Sequence, residues 1–323
     1  MTTHQMRPLP AKPGIIFMGT PDFALPSLKT LIDHGHHVQA VVTQPDRPKG
    51  RSGKPAPPSV KEMAEDLGLS VLQPEKTSDE SFRRNISTFS PDLLVVIAFG
   101  QILNEPLLNI PRWGGLNIHA SLLPKYRGAA PIQQAIINNE VETGLSAMRM
   151  TPGLDAGPIL LQEKTSIGVH ETAGELHDRL AEMAAPFLLK TLRALSESNV
   201  REIPQDHTRA TYAAKIDRNT GRIFWDRTGN EISALIRGLD PWPGAYTTVN
   251  GKSLKLFSSR VMNSGDAGMV PGRIRGHSEE GLMVETADSV ILVSELQLAG
   301  RKRVRASDFL RGFALEPGTV LGK

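Results

Sequence analysis

The apolar positions change period along the chain. Positions 15–18 form a short apolar run stopped by Gly19-Thr20-Pro21, and Leu25, Leu28, Leu31 and Ile32 then recur at helical spacing. Positions 38–42 predict a second strand. Ser59-x-x-Glu62, ahead of Val60, Met63, Ala64 and Leu67, predicts a helix opened by a capping box and closed at Gly68. Positions 92–99 (DLLVVIAF) are apolar almost throughout, as a parallel strand buried on both faces should be. Positions 116–120 predict a further strand, and Pro131 suits the first position of a helix. Thr172-x-x-Glu175 then caps a long helix with Leu176, Leu180, Met183, Phe187, Leu188, Leu192 and Leu195 on its inner face. Strand alternating with helix implies an α/β fold with a doubly wound, mostly parallel sheet. Sites in such sheets lie beyond the carboxyl ends of the strands.

The pattern changes near residue 205. Positions 203–217 are polar and weakly periodic, which reads as a linker. One helical stretch (231–239) follows, then short strands at 246–257, 273–274, 282–286 and 290–296, and a short helix at 307–311. Asn250-Gly251 is a strong hairpin signal. About 100 residues of this pattern predict a small β-barrel. The expected division is an extension (1–13), a catalytic domain (14–203), a linker (204–218) and a C-terminal domain (219–323).

Composition narrows the classes of function. With 39% hydrophobic and 22% charged residues, the chain belongs among folded proteins rather than disordered ones. It has no cysteine, which excludes disulfides, thiolate nucleophiles and cysteine-ligated zinc or iron–sulfur clusters, and a reducing cytoplasm is the simplest expected home. No apolar run approaches the ~20 residues of a membrane span, and the first residues lack the apolar core of a secretory signal. Nothing in the sequence demands more than a monomer. The first 218 residues carry 23 basic and 23 acidic side chains, whereas residues 219–323 carry 14 and 11. The whole excess of +3 therefore sits in the C-terminal part, which leaves room for an anionic macromolecular partner.

Several motifs fail on inspection. The first strand ends in GTPDFA, not in the glycine pattern of a dinucleotide site. Gly50 to Lys54 imitates a phosphate loop, but the spacing is wrong and Pro55 stands where Ser or Thr is required. His34, His36 and His37 fall where a helix hands over to a strand, so a solvated turn is favoured over a metal site.

One constellation remains, in GGLNIHASLLPKYRGAAP (114–131). Asn117 and His119 are two apart on a strand and share a face near its carboxyl end. An amide and an imidazole so placed can donate together to a developing oxyanion. The later Pro152-Gly153-Leu154-Asp155-Ala156-Gly157 is a tight loop able to return a carboxylate to the imidazole. The same residues also fit a satisfied core histidine, a turn asparagine and a loop-capping aspartate. Spacing alone leaves both readings open.

The segments NIHASLLPKYRGAAPI and GLDAGPIL resemble the folate-dependent formyltransferases. FMGTPDFA, VVTQPDRPKGR, the long helix and PWPGAY extend the likeness, from about residue 14 to the end, to the bacterial branch of that family that acts on methionyl-tRNA. The resemblance implies a formyltransferase-type, Rossmann-like catalytic domain followed by an OB-like barrel. It implies transfer of the formyl group of 10-formyltetrahydrofolate, a co-substrate, to the α-amine of methionyl initiator tRNA, with no metal and no bound cofactor. By the same resemblance Asn117, His119 and Asp155 are catalytic, and Ser121, Leu122, Leu123 and Pro124 contact folate.

The basic segments follow from this. Positions 44–59 hold five prolines, two glycines and Arg47, Lys49, Arg51 and Lys54. The bland reading is a solvated loop, though it is longer than usual. In the family this insertion meets the tRNA acceptor end, and Arg51 matches the arginine that carries much of that contact. Between Arg47 and Ser59 no acidic side chain interrupts the run. Arg301, Lys302 and Arg303 form the densest basic cluster, read either as a solvated face or as a tRNA contact. Trp242 and Tyr246 are expected to pack in a core rather than to stack on bases.

Overall fold

The computed structural model describes residues 8–48, 53–262 and 268–322. The chain divides into two compact units. The first comprises residues up to Ala129, Thr143–Thr165 and His177–Ala213; the second comprises Ala130–Glu142, Ser166–Leu176 and the chain from Ala214 onward.

The first unit is built on a seven-stranded sheet. Its strands are Gly14–Gly19, His37–Val42, Val71–Leu72, Leu93–Ile97, Gly115–His119, Glu142–Arg149 and Ile159–Ser166. In space they run 159–166, 142–149, 115–119, 93–97, 14–19, 37–42, 71–72. The pairings from 71–72 across to 115–119 are parallel, and 142–149 then runs antiparallel to 115–119. The strand 14–19 is where the winding reverses. Its Ile16 and Met18 join Ala40, Val42, Leu94 and Val96 in one core, while Ile15 and Phe17 on the opposite face are equally buried. Apolar cover on both faces explains the unbroken hydrophobic runs of these strands.

The helices begin and end largely as their sequences dictate. Leu25–Asp33 carries proline in its first turn, and Pro131–Ile137 opens on one. Thr172 and Glu175 form a reciprocal capping box ahead of Ala173–Ser196. The box expected at Ser59 does not form. Helix Ser59–Asp66 is capped by the Pro58 carbonyl, which accepts from Lys61 N and Glu62 N, so Ser59 is already a helical residue. At His34–His37 the helix hands over to the strand: His34 Nδ1 sits 2.9 Å from the Thr30 carbonyl, and burial, then His34, push the His36 imidazole below its ordinary pKa.

The second unit centres on one antiparallel sheet, ordered Ala245–Val249, Lys252–Met262, Val290–Leu298, Gly281–Glu285, Ile274–Ser278, with Val304–Arg305 added against 290–298. Asn250 and Gly251 both take positive φ at the first hairpin, as that turn requires. Helix Gly229–Gly238 opens on a second capping box, Thr228 with Glu231, which the sequence reading missed. It packs on helix Pro131–Ile137; a Cβ on Gly238 would lie 2.5 Å from Ile137 Cγ1 and 3.1 Å from the Gln133 carbonyl oxygen, so any larger residue would force Ile137 to shift. Trp225, Ile232, Ile236, Leu256, Val284, Ile291 and Phe309 contribute to the shared core. Among the described residues no helix is long and apolar enough to cross a membrane.

Candidate active site

Asn117 and His119 lie in the last three residues of the 115–119 strand and are both buried, at 8% and 7% exposure. The period of two puts them on one face. Asp155, in the turn after the next strand, comes back to both. Its Oδ2 is 3.8 Å from His119 Nδ1, and its Oδ1 accepts from Asn117 Nδ2 at 3.4 Å. Oδ2 also accepts from Gly128 N at 2.8 Å. The loop thus returns a carboxylate to the imidazole, and the arrangement gathers one carboxylate, one amide and one imidazole in a largely dehydrated place.

The two ring nitrogens of His119 have different tasks. Nε2 lies 2.9 Å from the Tyr126 carbonyl oxygen. A carbonyl only accepts, so Nε2 carries the proton of that bond, and Nδ1 is the atom turned toward Asp155. Tyr126 and Asp155 both take positive φ, 59° and 46°, a region L-residues avoid unless their surroundings hold them. Tyr126 is held by its N–H, which donates to Thr211 Oγ1 at 2.8 Å.

The segment Ser121–Pro124 follows directly. Ser121 points inward, donating to the Lys125 carbonyl at 2.7 Å, and Leu123 packs with Met148 and Ile159. Leu122 and Pro124 are half-buried. The loop is braced by Ser146, a fully buried hydroxyl that donates to Ser121 O at 2.6 Å and accepts from Leu123 N and from Gln162 Nε2. So of the four expected folate contacts, two side chains are turned into the protein, which leaves Leu122, Pro124 and the backbone to meet a ligand.

Sequence reasoning missed the supports. Ser146, Gln162, Tyr126, Arg127, Gln205 and Thr211 hold the site, and two of them, Gln205 and Thr211, lie within the stretch read as a linker. That stretch is not a free linker. Tyr212–Ala213 pairs in parallel with Arg127–Gly128, and Gln205 is buried.

The basic residues divide. Arg47 lies in a two-residue strand paired with Pro55–Ala56, and its Nη2 is 2.9 Å from Glu75, so the run is neutralised in part from outside the segment. Lys54 is exposed. Lys49 and Arg51 lie outside the described residues. Arg301 and Lys302 are exposed. Arg303 is also exposed, with 33% of its side chain accessible, but its head group is engaged: it pairs with Asp240 at 2.7 Å and Glu295 at 2.5 Å, and its guanidinium lies 4.1 Å from the Phe257 ring centre. Burial lowers the Arg303 pKa, but hydrogen bonds and the charges of Asp240 and Glu295 outweigh it and hold it above the ordinary value. Trp242 is 61% exposed, which overturns the expectation that it packs in a core, and Tyr246 is half-buried. Among the described residues no group of three or more His, Asp or Glu is gathered to hold a metal ion.

Models of the formyl transferase domain and of the formyl transferase C-terminal domain match residues 14–192 and 215–314. The chain belongs to the formyl transferase family, and it is an enzyme that transfers formyl groups. It is 49% identical over 309 residues to the methionyl-tRNA formyltransferase of Geobacter metallireducens, covering 96% of this chain and 98% of that one. It is 46% identical over 308 residues to the methionyl-tRNA formyltransferase of Moorella thermoacetica, covering 95% and 99%. Among solved structures it is similar to HypX from Aquifex aeolicus in complex with tetrahydrofolic acid, with a TM-score of 0.64 and 15% identity. That match covers 96% of this chain and 51% of HypX, so this chain spans about half the length of that protein, and the likeness is one of fold.

Proposed function

We infer that this chain transfers the formyl group of 10-formyltetrahydrofolate to the α-amino group of methionyl initiator tRNA, acting as a cytoplasmic monomer. The observation that carries this reading is near-complete coverage of relatives bearing that activity in their names, at 46–49% identity, C-terminal domain included. A basic insertion and an excess of positive charge confined to residues 219–323 suit a nucleic-acid substrate better than a small amine.

The chemistry follows from the buried centre. The neutral amine attacks the formyl carbon, giving a tetrahedral oxyanion. Asn117 Nδ2–H and His119 Nδ1–H donate to that oxygen. Because Nε2–H is engaged by the Tyr126 carbonyl, donation from Nδ1 requires the imidazolium, with Asp155 Oδ2 at 3.8 Å from Nδ1. The C–N bond to folate N10 then breaks, the amine gives up a proton and N10 gains one, with Asp155 handling the transfer through water. No covalent formyl-enzyme is needed, and no cysteine exists to form one. Leu122 and Pro124 flank the folate. Arg51, with Arg47, Lys49, Lys54, Arg301 and Lys302, meets tRNA phosphates or an unpaired base.

The test is incubation with 10-formyltetrahydrofolate and charged initiator tRNA, followed by release and identification of the amino acid. N-Formylmethionine supports the reading. Formylation of a free sugar amine or amino-nucleotide, with methionyl-tRNA untouched, refutes it.

A further inference from the structure

The turn bearing Asp155 is held by a side chain that bonds its backbone. Gln205 Nε2 donates to the Asp155 carbonyl at 2.8 Å and to the Gly157 carbonyl at 2.7 Å. Its Oε1 accepts from Arg127 Nε at 3.1 Å and from Arg127 Nη2 at 2.6 Å. A glutamine amide has two N–H donors and one oxygen, and here all are engaged. The amide fits one way round only. Flipped, its oxygen would face two carbonyls and its NH₂ would face a guanidinium.

Arg127 is as buried as the residue it orients. Gln205 is 6% exposed and Arg127 3%. Arg127 is itself fixed, since its backbone N–H donates to Thr211 O at 2.9 Å and its Nη1 lies 3.2 Å from His207 Nδ1. A charged donor on Oε1 polarises the amide and strengthens what Nε2 gives to the turn. The turn needs this help, because Asp155 sits at φ 46° and relaxation of that backbone would swing its carboxylate away from His119 and Asn117.

We propose that Gln205 is a positioning residue for formyl transfer, oriented by Arg127, which fixes the Asp155–Gly157 backbone so that the Asp155 carboxylate stays on His119 and Asn117. The proposal rests on the reading of Asp155 as a member of the reacting centre. It assigns a task to a residue in the stretch that looks like a linker, and to an arginine whose side chain is turned away from solvent.

The test is a kinetic cycle on the full-length enzyme. Gln205→Glu keeps the shape and the acceptor for Arg127 but removes both donors. Its kcat should fall by about 10- to 100-fold, the scale of a displaced reacting group. KM for folate and for tRNA should stay within about twofold, because Gln205 is buried and its amide is fully engaged within the protein. In an Asp155→Asn background the same change should cost less than about twofold, since the carboxylate it positions is already gone. Arg127→Lys, which keeps one donor and loses the fork, should fall between wild type and Gln205→Glu. If Gln205→Glu does not fold, Arg127→Lys carries the same cycle. A kcat per folded molecule within twofold of wild type for both variants would overturn the proposal. So would an equal loss with and without Asp155, which would mean Gln205 acts elsewhere. If Asp155→Asn alone retains wild-type turnover, the reading of Asp155 fails instead, and that single variant tells the two failures apart.

Discussion

The buried centre and the exposed basic segments are built on opposite terms. Around Asn117, His119 and Asp155, side-chain and backbone groups from positions 117, 119, 126, 127, 128, 155, 205 and 211 share one network of buried and part-buried bonds. The basic residues at 47, 54, 301 and 302 stand on exposed surface. The carboxylate that pairs with Arg47, Glu75, is itself exposed, and such pairs are worth little. On the function proposed above, the difference teaches where each task lives. Stabilising a developing charge requires dipoles that are already fixed and dehydrated. Attracting a polyanion requires charge that is still in water and still able to adjust. Arg303 marks the boundary: it belongs to a basic run by sequence and to a packed ion-pair cluster by structure.

The largest expected effect breaks the centre. Asp155→Asn keeps the volume and removes the charge, so turnover at saturating substrates should fall ~100-fold or more. The melting temperature should move by only a few degrees, measured by thermal unfolding. A variant that melts far lower, yet turns over normally per folded molecule, would make Asp155 a loop cap.

Arg303→Ala should instead cost stability. It strands Asp240, whose side chain is 7% exposed, for about 2 kcal/mol after allowance for the partial exposure of Arg303 itself. The loss should depend on pH in a defined direction. Burial pushes the Glu295 carboxyl up, but the hydrogen bonds from Arg303 and Ser258 outweigh it and hold it below the ordinary glutamate value. A depressed carboxyl contributes stability that is present above its unfolded pKa and lost as pH falls through the folded one. The gap in melting temperature between wild type and Arg303→Ala should therefore be widest near neutral pH and shrink below about pH 4.5. A gap that widens in acid would contradict the assignment.

Arg301→Ala with Lys302→Ala should leave kcat and the melting temperature alone and raise KM for tRNA. Two lost phosphate contacts should flatten the salt dependence of binding by a slope of roughly 1.5. A change in kcat with unchanged salt slope would place these side chains outside the tRNA surface.

The smallest effect is optical. Trp113 and Trp225 are buried, at 9% and 6% exposure, so changes in tryptophan emission on adding tRNA should come from Trp242. Quenching in wild type that disappears in Trp242→Phe would show stacking at that position. Quenching retained in full by the variant would remove it from the tRNA surface.

Much of the fold was legible in the sequence, because its strands are covered on both faces and announce themselves as unbroken apolar runs. Asn250-Gly251 and Thr172-x-x-Glu175 read correctly, since their geometry is set by local bonds. Ser59-x-x-Glu62 read wrongly because the preceding Pro58 supplies the cap through its carbonyl. Asn117, His119 and Asp155 were found through strand spacing, a glycine-rich turn and a family resemblance. Gln205 and Arg127 were not, because polar residues satisfied by one another inside a protein look the same in sequence as polar residues satisfied by water. Trp242 misled for the converse reason: the neighbour that is buried is the charged one, Asp240, held by Arg303.

The most direct test of the whole account is the initial rate of N-formylmethionyl-tRNA formation by wild type and by His119→Ala, with both substrates saturating. The account predicts robust product from wild type and a rate at least ~100-fold lower from the variant, with folate affinity nearly unchanged. Equal rates from the two proteins, or no formylated methionyl-tRNA from wild type, would contradict it.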